Sequence, residues 1–113
     1  MNVTTARHGD IAVVIVNEPR LTYPVLAEFA TVTTGLIEQG EQRIVIDLGT
    51  VGYVDSATIG CLMDLYRQAT AAGGQLKLAG VQKRVETMLT MTGAHHFLEV
   101  YADQPSAVAS FGE

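Results

Sequence analysis

The sequence predicts an α/β domain with a largely parallel or mixed sheet, on three observations. Short β-branched or leucine-bearing runs (IAVVIV, RIVIDL, QLKLA) alternate with longer segments whose apolar residues recur at helical spacing. Glycines (Gly40, Gly73-Gly74 and Gly93) stand where each helical segment must stop. Hydrophobic residues make up 48% of the chain against 17% charged, enough for a buried core. Strands alternating with helices imply right-handed crossovers.

In order along the chain, residues 2–7 (NVTTAR) read as a weak strand. The turn His8-Gly9-Asp10 joins it to a buried strand over 11–16. Thr22 and Pro24 then open a helix, the hydroxyl as a cap and the proline in the first turn. Its face is Val25, Phe29, Val32 and Leu36, and Gly40 ends it. A strand at 43–48 leads into a loop, Gly49 to Val54. A second helix begins near Ser56, with Ile59, Leu62, Met63, Tyr66 and Ala69 inward. In the strand 75–79, Leu76 and Leu78 alternate with polar residues. A third helix turns Val81, Val85, Met88 and Leu89 inward. Leu98, Val100 and Tyr101 suggest a last strand, and Asp103 caps a fourth helix bearing Ala107, Val108 and Phe111.

The 113 residues fit one domain, 1–113, with no linker or repeat. A formal charge of −5 argues against nucleic acid or an anionic membrane as the main partner. The single Cys61 makes no internal disulfide, so a reducing, cytoplasmic setting is expected. The opening MNVTTARHGD lacks a signal peptide's apolar stretch, and the apolar run 11–16 is too short for membrane insertion.

The chemically distinct segment is Val54-Asp55-Ser56-Ala57-Thr58-Ile59-Gly60, where a loop becomes a helix. Ser56 stands where an N-cap belongs, its oxygen available to the unpaired N–H groups of the first turn. The same place suits a phosphate, because those N–H groups and the positive end of the helix dipole face it. A phosphoserine there adds roughly −1.5 to −2 charges beside Asp55. Ser56 therefore reads either as a plain cap or as a charge switch.

From IVIDLGTVGYVDSATIG through the Gly-Gly turn to HHFLEVY, over about 43–101, the chain resembles the STAS domain of bacterial anti-sigma factor antagonists. The family runs from a strand ending in Asp-Leu to an Asp-Ser-Ser-Gly-Leu-Gly-like segment that opens a helix. The resemblance implies a mixed sheet with about four helices, packed mainly on one face. It implies a non-enzymatic partner switch. The unphosphorylated protein binds an anti-sigma factor with serine kinase activity, phosphorylation of Ser56 weakens that complex, and a serine phosphatase resets it. Asp55, Ala57, Thr58 and Ile59 would form the docking edge, with Arg20 and Thr22 in the neighbouring loop. Ala57, Thr58 and Ile59 replace the family's serine, glycine and leucine. The family's upstream aspartate, in Gly-x-Leu-Asp, is matched here by Arg20, Leu21 or Thr22. Facing Ser56, Arg20 would bind its phosphate or pair with Asp55. A homodimer is left open. STAS domains also serve without phosphorylation, as adaptors of the ATPase in phospholipid-transport complexes, and that is the alternative function.

Other residues invite chemistry less. His95-His96 in an extended segment would point in opposite directions and lack further ligands, so neither a metal nor a cofactor is expected. Ser56 lacks the Gly-x-Ser-x-Gly elbow of a hydrolase, and Gly49-Thr50-Val51-Gly52 matches no phosphate-loop fingerprint. Cys61 beside the apolar stripe reads as a small buried hydrophobe. Of the four methionines, Met91 alone is assigned to a binding surface.

Overall fold

A computed structural model describes residues 2–112. Strands β1 (Val3–His8) and β2 (Ile11–Val16) form an antiparallel hairpin closed by the pair His8↔Ile11. Its turn uses Gly9 at φ +62°, a conformation that costs glycine little. Strand β2 then pairs in parallel with β4 (Arg43–Asp47), β4 with β6 (Gln75–Ala79), and β6 with β7 (Glu99–Tyr101). The sheet order is β1-β2-β4-β6-β7. A second, two-stranded sheet joins β3 (Arg20–Leu21) to β5 (Tyr53–Val54) in parallel. The helices are α1 (Val25–Glu38), α2 (Ser56–Ala71), α3 (Lys83–Thr92) and α4 (Gln104–Ala109).

Alternation along the strands sends Val14, Ile46 and Leu78 to one face, where Phe29 and Ile37 of α1, Leu62 and Leu65 of α2, and Val85 and Leu89 of α3 cover them. Ile11, Val13, Val45 and Ala79 face the other side, where Ala107 of α4 closes a smaller core. The fold is thus a mixed sheet with four helices, three of them on one face, as expected. Both α1 and α2 end in a Schellman motif. Gly40 N–H donates to Ile37 O at 3.0 Å and Glu41 N–H to Leu36 O at 3.1 Å; Gly73 and Gly74 do the same to Thr70 and Ala69 at 3.0 and 2.8 Å.

Several local expectations are corrected. The N-cap of α1 is Pro24, with no side-chain cap, so the Thr22 hydroxyl does not cap it; the Thr22 carbonyl instead accepts from Leu26 N–H at 3.0 Å. The fully inward residues of α1 are Phe29, Thr33 and Ile37, while Val25, Val32 and Leu36 flank them. Phe29 belongs to both sets, and the predicted stripe sits roughly 70° off centre, less than the turn of one residue. The loop 49–54 contains β5, whose pairing with β3 is invisible to local periodicity. Lys77, one of the polar residues alternating with Leu76 and Leu78, is only 6% exposed because α4 and the residues after it lie over it. Its ammonium donates to Ser110 Oγ at 2.9 Å and lies 4.2 Å from the Phe111 ring centroid.

Candidate functional site at the start of the second helix

β4 delivers the chain through Gly49–Gly52 into β5, and β5 runs directly into α2. The residue that caps α2 is Asp55, not Ser56. Asp55 is extended at φ −115°, and its Oδ1 accepts from Thr58 N–H at 3.0 Å. The reason is one of register: an N-cap oxygen must reach the N–H three residues on, and Thr58 is three residues past Asp55. Ser56 therefore becomes the first helical residue, exposed, as is Ala57 after it. The N–H groups of Ser56 and Ala57 have no carbonyl partner inside the helix, and they lie at the positive end of a 16-residue dipole.

Thr58 corrects a second expectation. Its side chain is fully buried and faces inward, as does Ile59, so neither forms an outer docking edge. The Thr58 hydroxyl proton has two acceptors, Leu21 O at 2.5 Å and Asp55 Oδ1 at 3.0 Å. The β-branched residue thus clips β3 to the first turn of α2 and leaves the outer surface unobstructed. The two Thr58 donors, the backbone N–H first and then the hydroxyl, hold the Asp55 carboxyl below its ordinary value.

Arg20 does not reach across to Asp55, whose Oδ1 is occupied by Thr58; its guanidinium lies over the Tyr53 ring, 4.2 Å from the centroid. The register pair Arg20↔Tyr53 places this stack beside the helix start. Thr22 is half-buried in the same loop. Gln82, at the N-cap position of α3, makes no side-chain cap; its Nε2 instead donates to Gly49 O at 2.8 Å and completes the corner. Met91 is 76% exposed but sits eight residues, about 12 Å, along α3 from Lys83, away from this corner. One residue escaped sequence reasoning: Tyr23, 81% exposed, follows directly on the clipped Leu21-Thr22 segment. An aromatic before a proline carries no local sign of its exposure.

The remaining candidates fall outside the corner. His95 and His96 lie in a 3-10 turn (Ala94–His96) with ring centroids 4.1 Å apart, rather than in an extended segment. Among the described residues no group of three His, Cys, Asp or Glu side chains could hold a metal. Cys61 is half-buried against the core, and burial, with a smaller contribution from Asp64, pushes its thiol above the ordinary value. Among the described residues no helix is long and apolar enough to cross a membrane.

The STAS domain family profile matches residues 2–107. The chain is similar to BtrV of Bordetella bronchiseptica, provisionally named an anti-sigma factor antagonist, at 27% identity over 75 residues. That stretch covers 66% of this chain and 65% of the relative, just under two thirds of its length. Among solved structures, an anti-sigma factor antagonist from Mycobacterium paratuberculosis superposes with a TM-score of 0.87 at 15% identity, covering 98% of this chain and 93% of that one. The Bacillus cell fate determinant SpoIIAA in its phosphorylated form superposes with a TM-score of 0.76 at 14% identity, covering 96% and 98%. These two likenesses concern the fold.

Proposed function

The chain belongs to the STAS domain family, and on that premise we propose that it is an anti-sigma factor antagonist switched by phosphorylation of Ser56. Its partner in this reading is an anti-sigma factor with serine kinase activity, and a serine phosphatase reverses the modification. The carrying observation is the division of labour at α2: Asp55 caps the helix, and the exposed Ser56 hydroxyl makes no hydrogen bond among the described residues. A phosphate there would lie against the N–H groups of Ser56 and Ala57 and the helix dipole, so the modified chain keeps its fold. It would also set roughly −1.5 to −2 charges beside the ionised Asp55, on a surface formed by Ala57, Tyr23 and the Arg20–Tyr53 stack. Switching then needs no conformational change; the docking surface gains negative charge locally.

Nothing in this corner prepares Ser56 for catalysis. The adjacent carboxylate accepts both Thr58 donors on Oδ1 and is held below its ordinary value, which makes it a weak base towards the Ser56 hydroxyl. Ser56 is a substrate for another protein's chemistry.

The test is affinity purification from the native cells with wild type, Ser56→Ala and Ser56→Glu, partners identified by mass spectrometry. The switch predicts an anti-sigma factor with a serine kinase domain, held by wild type and Ser56→Ala and recovered at least about tenfold less with Ser56→Glu. Intact-mass analysis should find the phosphate on Ser56 and not on the alanine variant. Equal recovery of a transport ATPase by all three would replace the switch with a permanent adaptor and leave Ser56 as the first residue of a helix.

A further inference from the structure

β7 is an open edge of the main sheet, and beside it lies a groove of about 430 Å³ against α3 and the turn after it. In a parallel strand, successive residues offer their backbone groups to opposite neighbours. The Tyr101 carbonyl accepts from Gly80 N–H at 2.9 Å, so Glu99 and Tyr101 face β6 and the N–H and C=O of Val100 point outward. Leu89, Leu98 and Val100 give the groove an apolar floor, and the Val100 side chain is 37% exposed. Glu86 and Glu99 stand on its rim, and no lysine or arginine lines it. Glu99 pairs in register with Lys77, so its side chain leaves the strand on the α4 face, opposite the apolar floor. There Lys77 approaches its Oε1 at 3.6 Å and the Tyr101 hydroxyl donates to the same oxygen at 2.5 Å, yet the Glu99 side chain stays 61% exposed.

We infer that this edge accepts an extended polypeptide segment with alternating apolar and basic side chains, added as a further strand. The outward Val100 groups supply the main-chain hydrogen bonds, the floor takes one apolar side chain, and Glu99, on the face to which the flanking side chains turn, selects lysine or arginine there. The strand has only three residues, so main-chain pairing alone is weak and charge decides what binds.

The test uses fluorescence anisotropy with a capped, labelled Lys-Val-Lys-Val-Lys peptide, against Glu-Val-Glu-Val-Glu and Lys-Ser-Lys-Ser-Lys controls. The basic, apolar peptide should bind at least about tenfold tighter than either control. Val100→Pro removes the outward N–H without touching the bonds to β6, and should weaken binding about tenfold. Val100→Lys and Glu99→Gln should weaken it by an independent route, and amide shifts on binding should concentrate at residues 86–101. Absent binding, equal binding of the acidic control, or shifts centred elsewhere would overturn the proposal. Self-association that Val100→Lys abolishes would overturn it too, since the groove would then hold a second copy.

Discussion

Asp55 holds two roles in one side chain: it terminates the helix backbone and it keeps a negative charge beside Ser56. Its carboxyl is depressed below the ordinary aspartate value chiefly by the Thr58 N–H and then by the Thr58 hydroxyl. A carboxyl depressed in the folded state adds stability that is fully present above its unfolded value and is lost as pH falls through the folded one. Asp103 acts in the same direction, through the Ser106 hydroxyl first and its N–H second. Asp55→Asn keeps a capping oxygen but cannot titrate. Urea midpoints of the two proteins should therefore be furthest apart near about pH 6, wild type the more stable, and converge towards about pH 3. Parallel curves across that range would mean that Thr58 does not hold the carboxylate in solution. The sequence put this capping function one residue late. Asp and Ser are equally good caps, and only the helical register, pinned by the Thr58–Leu21 bond, chooses between them.

At the scale of the elements, α1 shows what an apolar pattern leaves undetermined. Thr33 lies at the centre of its buried stripe, and its hydroxyl has no hydrogen-bond partner among the described residues. A reading that counts only apolar residues skips a threonine and centres the stripe on its neighbours. Thr33→Val keeps the shape and removes the stranded hydroxyl, so it should raise stability by about 1 kcal/mol in urea or thermal unfolding. The glycines divide by the same logic. A Cβ on Gly35, within α1, meets nothing within 4 Å, so Gly35→Ala should gain about 0.5–1 kcal/mol. A Cβ on Gly74 would come within 2.7 Å of Gln42 O and 2.9 Å of Gln42 Cα. Both contacts are backbone, so Gly74→Ala should cost about 1–3 kcal/mol in the same assay. A gain at Gly74 would show that the β4 and β6 entry loops are not pressed together.

At the scale of the whole molecule, α4 decides whether the sheet has one wet face or none. Only six residues long, it closes the face formed by Ile11, Val13, Val45 and Ala79, and Lys77 lies beneath the chain that follows it. A lysine is tolerated there because its stem lies along apolar surface while its ammonium finds Ser110, Glu99 and two aromatic rings. Ala107 is fully buried, and Ala107→Asp would drive a carboxylate into that smaller core. The expected result is release of α4 from an otherwise folded sheet: hydrogen exchange accelerates over 104–109 and Lys77 becomes open to acetylating reagents. Global unfolding at the same denaturant concentration would show instead that the two cores form one cooperative unit.

The order and type of nearly every element were determined by the sequence, because β-branched runs, helical apolar spacing and glycine stops act over a few residues each. The serine at the start of a helix belongs to the same class of local signal. The tertiary structure alone decided which residue caps α2, which way Thr58 faces, that β3 and β5 pair, and that Lys77 is covered. Each of these turns on a contact between distant parts of the chain, such as Thr58 with Leu21, 37 residues apart. A local pattern carries no information about which distant partner will close such a contact, and folding supplies it by packing three helices on one face of a sheet and a fourth on the other.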